Sequence, residues 1–222
     1  MVRIKRWVGL MMLAGLLMAC SGNIGSVLSD CSTDGVLLVD NFNEGETCGW
    51  YLFDDDSLTG AARIAGGKLE ITSREPGQFW WSNPDISAED VIVTATARKI
   101  NGPDDNAFGL ICRYQDANNF YLFLISSDGY YAIGKVISSS DEILYLSGGG
   151  EYQFSEVIQQ GVQENTIRGS CEGDTLTLTV NGILLESVTD SSFTSGDIGV
   201  GVTAYEIGTA VVEFDDVRVI QP

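Results

Sequence analysis

Carboxylates are the most abundant groups in this chain that could do chemistry, because it contains 31 Asp and Glu residues and no histidine. The absence of histidine excludes a Ser-His-Asp triad and a histidine general base. Two carboxylates could still cleave a glycosidic bond, with one acting as the acid and the other as the nucleophile or base. The composition therefore leaves carboxylate chemistry open.

Cysteines are the second reactive group, and the chain has five of them: Cys20, Cys31, Cys48, Cys112 and Cys171. Cys20 ends an apolar N-terminal run and is considered below. The other four allow three disulfide pairings in an oxidising compartment, and we favour Cys31–Cys48 and Cys112–Cys171. The first would close a short loop around the first strand, and the second would join two strands of one core. Zinc is a poor alternative because no Cys-x-x-Cys spacing and no histidine occur.

Aromatic and arginine side chains near Cys112 are candidate ligand contacts. If Cys112 points into the core to form its disulfide, the two-residue period of a strand puts Arg113 on the opposite face. Tyr121 would lie beside Arg113 in the register that we predict, although a shift of one residue would reverse its face. Tyrosine stacks on sugar rings and arginine bonds their hydroxyls, so we predict a binding site centred on Arg113 and Tyr121. Trp81 and Tyr131 are further candidates.

Three consecutive strands must position these residues. They are predicted over Phe108–Tyr114, Phe120–Ser126 and Tyr130–Ile137, with an Asp-Gly turn before the third that favours a hairpin. Both faces of the first two strands are apolar, whereas a strand with one face in water alternates apolar and polar residues. This segment is therefore predicted to form the centre of a sheet whose second face is also covered or lines a groove.

The rest of the chain has the pattern of an all-β protein. About fourteen short strands with turn signals every eight to twelve residues are typical of a sandwich or barrel. Asn181-Gly182 is the best hairpin turn, and only Ser155–Gln160 suggests a helical turn. No internal repeat and no second domain are visible, so residues 36–222 are predicted to form one domain.

The N-terminus has the pattern of a targeting signal. Three basic residues precede the apolar run Trp7–Ala19, which at about thirteen residues is too short to span a membrane. The sequence Leu-Met-Ala-Cys at 17–20 resembles the lipobox of bacterial lipoproteins, with an ordinary secretory signal as the alternative. The resemblance implies that residues 1–19 are removed, that Cys20 is lipidated, and that residues 20–35 tether the domain. The protein would then be anchored to a bacterial membrane, facing outside the cytoplasm.

The charge of the mature chain limits its partners. Cleavage before Cys20 would leave nine basic residues against 31 acidic ones, a net charge of −22. Such acidity argues against nucleic acid and against electrostatic binding to anionic headgroups. It is compatible with a solvated surface, with cation binding, and with neutral ligands such as sugars.

Motifs along the mature chain match one superfamily in order and spacing. They are DNF…GW (40–50), FGLICRYQDANNFYLFLISSDGYYAIGKV (108–136), NTIRGSCEGDTLTLTVNG (165–182), FTSGDIGVGV (193–202) and VEFDDVRV (212–219). They resemble the concanavalin A-like lectin/glucanase superfamily, above all the laminin G-like and keto-disaccharide-hydrolase-like domains of bacterial surface lipoproteins. The resemblance implies an all-β, two-sheet antiparallel jelly-roll β-sandwich that binds ligands on its concave face.

The same resemblance bears on catalysis and on metal binding. Family-16 glucanases of this superfamily carry Glu-x-Asp-x-Glu on one strand, and that motif is absent here. Relatives hold a structural calcium where the first and last strands meet, and the matching positions are Asp40, Asn41, Asp215 and Asp216. Calcium prefers such oxygen ligands, although these aspartates could instead simply bond backbone amides. The loop at 104–106 is a weaker metal candidate.

Together these features predict a membrane-anchored extracytoplasmic lipoprotein whose jelly-roll domain binds carbohydrate or a cell-surface partner without catalysis. A glycan-active hydrolase or lyase of the same fold is one alternative, and a purely structural envelope protein is another. The fold cannot separate them, because jelly rolls host lectins, enzymes and adhesion modules alike.

Overall fold

The computed structural model describes residues 31–43, 48–54, 59–140 and 142–222, and these ranges form strands joined by turns and loops. They contain no α-helix, and so no helix that is long and apolar enough to cross a membrane. The strands are β1 (Val36–Asp40), β2 (Phe53–Asp54), β3 (Gly60–Ala65), β4 (Lys68–Ser73), β5 (Trp80–Ser82), β6 (Ser87–Ala88), β7 (Val91–Asn101), β8 (Asn106–Asp116), β9 (Asn119–Ile125), β10 (Tyr130–Val136), β11 (Leu144–Tyr145), β12 (Gln153–Phe154), β13 (Asn165–Glu172), β14 (Thr175–Val180), β15 (Ile183–Thr189), β16 (Gly196–Ala204) and β17 (Ala210–Ile220).

Two antiparallel sheets contain all of these strands. The nine-stranded sheet has the order β15-β14-β13-β7-β17-β4-β3-β2, and β1 also pairs with β17. The eight-stranded sheet has the order β11-β10-β9-β8-β16-β5, with β12 paired to β10 and β6 paired to β16. The predicted two-sheet jelly-roll sandwich is confirmed.

Turn chemistry sets the local connections. Asn181 and Gly182 have φ of 51° and 80° between β14 and β15, the left-handed pair that a tight hairpin requires. The predicted helical turn at Ser155–Gln160 corresponds to a single hydrogen-bonded turn. The amide of Ile158 bonds the carbonyl of Ser155 at 3.2 Å, and this single turn is not continued into a helix.

Two apolar clusters cover the two faces of the eight-stranded sheet. Its inner face carries Phe108, Leu110 and Phe123, which pack with residues of the nine-stranded sheet in the main core. Its outer face carries Ile111 and Leu122 in a second buried cluster. The prediction that both faces of the central strands are covered is therefore confirmed.

Both predicted disulfides are present. Cys112 of β8 is bonded to Cys171 of β13, so this bridge joins the two sheets through the core, with the Cα atoms 6.8 Å apart. Cys31 is bonded to Cys48 with a Cα separation of 5.7 Å. Two disulfides are typical of proteins outside the cytoplasm.

Candidate ligand-binding site

A cavity of about 390 Å³ opens on the outer face of the eight-stranded sheet, at the end where β8 begins and β9 ends. This volume lies in the range of small-ligand sites. Tyrosines make up half of its described lining, and we call it the tyrosine cavity. It is lined by Asp105, Asn106, Ser126, Asp128, Tyr130, Tyr145, Tyr152 and Tyr205.

Strand alternation brings the first of these side chains to the outer face. Ala107 and Leu124 belong to the outer cluster, and the side chains of a strand return to the same face every two residues. Asp105 lies two residues before Ala107, and Ser126 lies two residues after Leu124. Tyr205 reaches the same face because it directly follows Ala204, an inner-face residue at the end of β16.

A glycine makes room for the tyrosines on the β10 side. Tyr145 pairs with Gly134 across β10 and β11, so both lie on one face. A Cβ atom at Gly134 would approach the Cγ2 atom of Ile143 to 2.9 Å and the ring of Tyr145 to 3.4 Å. A side chain at Gly134 would therefore press on Ile143, which neighbours the cavity residue Tyr145 closely in sequence.

Three tyrosine hydroxyls converge in the cavity. The Tyr205 hydroxyl lies 3.0 Å from that of Tyr152 and 3.5 Å from that of Tyr145. Burial raises the pKa of both Tyr152 and Tyr205 above the usual tyrosine value, so both stay neutral at physiological pH. Because each hydroxyl can accept two hydrogen bonds and donate one, these mutual contacts leave acceptor positions for a ligand.

A hydrogen-bonded turn fixes the polar end of the cavity. The buried Asn106 side chain donates to the Pro103 carbonyl at 2.7 Å and accepts from the Ser127 amide at 3.1 Å. The Ser126 hydroxyl donates to the Asp128 carboxylate and accepts from the Tyr130 amide at 2.9 Å. These bonds hold the Asp128 carboxylate in place before a ligand arrives, which lowers the entropy lost on binding.

The mouth of the cavity is acidic. Burial, and then the nearby carboxylates of Asp128 and Glu206, raise the pKa of Asp105. None of the described lining residues is Lys or Arg. The cavity therefore offers hydrogen-bond acceptors and aromatic surface under a negative potential.

Arg113 does not face the cavity, and its predicted position is wrong. The pairing of β8 with β9 shifts after Cys112, and Arg113 adopts φ of 53° at this bulge, so the strand alternation no longer applies. Its side chain is 2% exposed and donates to the carbonyls of Glu89 and Phe193, both at 2.9 Å, and to the Asp90 carboxylate at 3.2 Å. The guanidinium therefore links β8 to two other segments inside the protein, the one at Glu89 and Asp90 and the one at Phe193.

Tyr121 also lies on the other face from the one predicted. It pairs directly with Cys112, so it points into the main core and is 0% exposed. Its hydroxyl donates to the Asp190 carboxylate at 2.6 Å and accepts from the Phe193 amide at 3.1 Å. Burial and the Asp190 carboxylate raise the pKa of Tyr121 to about 12. Tyr121, predicted as part of the site centre, is therefore buried and connects β9 to the loop after β15.

The Asp190 carboxylate that bonds Tyr121 makes the stability of the fold depend on pH. Although burial alone would raise the pKa of Asp190, bonds from Lys135, Ser192 and Tyr121 lower it well below its usual range. A lowered native pKa adds stability above the unfolded-state pKa near 4, and that stability is lost as the pH falls further. We expect Asp190→Asn to be about 1 to 3 kcal/mol less stable at pH 7 and to lose less stability than the wild type below pH 4. Urea unfolding at several pH values measures this, and parallel profiles would contradict it.

The two weaker ligand candidates lie on opposite faces. Tyr131 belongs to the main core, and its hydroxyl donates to Glu186 at 3.2 Å. Trp81 packs on the outer face against Tyr114 and Phe120, and it does not line the tyrosine cavity. A ligand contact by Trp81 stays a prediction.

Two of the four predicted calcium ligands, Asp40 and Asp215, bond other groups. The Asp40 carboxylate accepts from the amides of Phe42 at 2.8 Å and Cys48 at 3.2 Å, and the Asp215 carboxylate pairs with Lys68. Within the described ranges, no three Asp, Glu or Cys side chains are grouped to hold a metal. Calcium binding stays a prediction, and the melting temperature with calcium and with chelator tests it.

Cys20, the predicted lipidation site, lies outside the described residues. Of the cavity residues, only Asp105 and Asn106 were among the predicted candidates, as part of the weaker metal-binding loop at 104–106, and the tyrosines of the cavity were not predicted. Tyr145 comes from a two-residue strand, and Tyr152 and Tyr205 come from loops, where no periodic pattern marks a face. The one available signal is that Asp105 and Asp128 flank strands that meet at the same end of an antiparallel sheet.

The chain is similar to several solved structures over most of its length. A carbohydrate-binding module, CBM66, from Bacillus subtilis is 19% identical with a TM-score of 0.59, covering 78% of this chain and 96% of that one. A protein of unknown function with a galectin-like fold, also from Bacillus subtilis, is 11% identical with a TM-score of 0.59, covering 84% and 96%. A glycosidic hydrolase is 11% identical with a TM-score of 0.58, covering 83% and 95%.

The fold is concanavalin A-like. These similarities confirm the fold that the sequence motifs predicted, and at identities below 20% they show the fold alone. No protein-family model matches the chain, and no curated protein matches it either.

Proposed function

We propose that this protein is a lipoprotein anchored outside the cytoplasm that binds carbohydrate in the tyrosine cavity without catalysis. The observation that carries the proposal is a cavity of about 390 Å³ with four tyrosines and two aspartates in its described lining. Tyrosine rings stack on the apolar face of a sugar, and carboxylates accept bonds from its hydroxyls. The similar fold of a carbohydrate-binding module supports this assignment.

Replacement of Tyr145 tests the site. We expect Tyr145→Ala to weaken glycan binding at least about tenfold, because the cavity loses an aromatic wall. Affinities are measured by titration calorimetry with the full chain in a sugar-free detergent, after an oligosaccharide panel has identified a ligand. Tyr145→Phe keeps the ring and serves as a folding check. Tyr51→Ala is the matched control, because Tyr51 is 68% exposed and lies outside the cavity. Unchanged affinity in Tyr145→Ala would place the site elsewhere.

The membrane anchor is tested at Cys20. We expect mass spectrometry of the membrane fraction to find an N-terminal peptide that begins at Cys20 and carries added acyl mass. The Cys20→Ala chain should leave the membrane after processing. A processed Cys20→Ala chain that remains bound would contradict lipidation at this residue.

A glycan hydrolase is the second candidate, and one feature of the cavity favours it. Glycosidic cleavage needs two carboxylates at one site, and Asp105 and Asp128 both line the cavity. Burial raises the pKa of Asp105, as the role of a general acid requires. Release of reducing ends from a polysaccharide panel, abolished in Asp105→Asn, would establish this activity. No release with a bound glycan supports the binding function.

A further inference from the structure

The tyrosine cavity holds negative charge that none of the described residues neutralises by an ion pair. Asp105 and Asp128 line it, and Glu206 lies close enough to act on Asp105. None of the ion pairs among the described residues includes any of these three carboxylates. A cationic ligand would therefore find carboxylates that are free to pair with it.

Lys99 of β7, which is close in sequence to Asp105, binds other groups. Lys99 is 6% exposed, and its ammonium group binds the Asp104 carboxylate and, at 3.0 Å, the Gly102 carbonyl. Lys99 therefore pairs with Asp104, the residue before Asp105, and not with Asp105 itself. In this loop, the Asp104 carboxylate pairs with Lys99, and the Asp105 carboxylate lines the cavity.

The tyrosine walls of the cavity can also bind a cation, in addition to the carboxylates at its mouth. Four tyrosine rings line it, and the face of an aromatic ring attracts a positive charge within about 6 Å. An ammonium group has three donors and no acceptor, which matches neutral tyrosine hydroxyls that have acceptor positions left. The Ser126 hydroxyl fixes the Asp128 carboxylate as a further acceptor.

We propose that the tyrosine cavity selects a sugar that carries a free protonated amine, an amino sugar, over neutral or acidic sugars of the same size. This inference rests on the proposed carbohydrate-binding function and names its ligand class. Acetylation of the amine would remove both the charge and two of its donors. A uronic acid or sulfated sugar would be repelled by Asp105 and Asp128. The strongly acidic chain, with its formal charge of −19, also favours the approach of a cation.

Two trimers that differ only in the acetyl groups test this proposal: the glucosamine trimer and the N-acetylglucosamine trimer. Titration calorimetry on the full chain in a sugar-free detergent should give at least tenfold tighter binding of the glucosamine trimer. Asp128→Asn and Asp105→Asn should each weaken binding of the glucosamine trimer more than binding of the acetylated trimer, and so remove most of that difference. Asp34→Asn is the matched control, because Asp34 is exposed and distant in sequence from the cavity residues.

The outcomes of this experiment distinguish failure of the amine selectivity from failure of carbohydrate binding. Preference for the acetylated trimer would overturn the amine selectivity and leave carbohydrate binding intact. No binding of either trimer would overturn the amine selectivity, and the Tyr145→Ala comparison on the glycan panel would then test carbohydrate binding separately. Equal weakening in Asp34→Asn and Asp128→Asn would show general attraction to an acidic protein, and this too would overturn the proposal.

Discussion

Replacing Cys112 and Cys171 together by alanine is expected to lower the free energy of unfolding by about 4 kcal/mol. The two cysteines are 59 residues apart in sequence, so their bridge closes a large loop in the unfolded chain and lowers its conformational entropy. It also joins the two sheets through the main core, where both cysteines are buried. Urea unfolding followed by tryptophan fluorescence measures the change.

The second disulfide supplies an internal comparison. Cys31 and Cys48 are 17 residues apart, so their removal should cost about 3 kcal/mol, less than removal of the core bridge. Reducing agent should destabilise the wild type and leave the variant that lacks all four of these cysteines unchanged. A loss below about 1 kcal/mol for the Cys112 and Cys171 pair would contradict the predicted stabilising role of the bridge.

Arg113→Ala is expected to lower the free energy of unfolding by about 2 to 4 kcal/mol. The change removes three hydrogen bonds and leaves the carbonyls of Glu89 and Phe193 without this donor. Asp90 loses less, because its side chain is 49% exposed and also accepts from the Gly173 amide at 2.8 Å. Arg113→Lys should rescue little, because one ammonium group cannot reproduce the planar fork.

Arg168 provides the matched control for this experiment. Arg168 is exposed on β13, and in the described ranges it makes no ion pair, so Arg168→Ala should change stability by less than about 0.5 kcal/mol. Glycan affinity is measured in parallel. An Arg113→Ala protein of unchanged stability that has lost glycan binding would restore Arg113 as a ligand contact and contradict its structural role.

The fold was predictable because its strongest sequence signals are local. Apolar residues on both faces of β8 and β9 indicated a sheet covered on two sides, and the second cluster around Ile111 and Leu122 is that cover. Turn residues such as Asn181-Gly182 set the hairpins. The disulfide between Cys112 and Cys171 followed from two cysteines in apolar strands that had to meet in one core.

The site was not predictable, because its position depends on register and on irregular segments. One bulge after Cys112 turned Arg113 into the protein, and a pairing one residue from the predicted one placed Tyr121 in the core. Tyr152 and Tyr205 come from loops, whose sequences carry no period that marks a face. Sequence reasoning placed a tyrosine-containing site on the correct sheet, but it named other tyrosines, and the predicted arginine has no counterpart in the described lining of the cavity.

The most direct test of the account is to ask which tyrosines respond to a bound glycan. The chain has eight tyrosines, and selective ¹³C labelling of their rings gives each a separate NMR signal. On saturation with the glycan ligand, we expect the signals of Tyr130, Tyr145, Tyr152 and Tyr205 to shift, while those of Tyr51 and the buried Tyr121 stay in place. Shifts confined to Tyr51 or Tyr114, with the cavity tyrosines unchanged, would contradict the assignment of the ligand to this cavity.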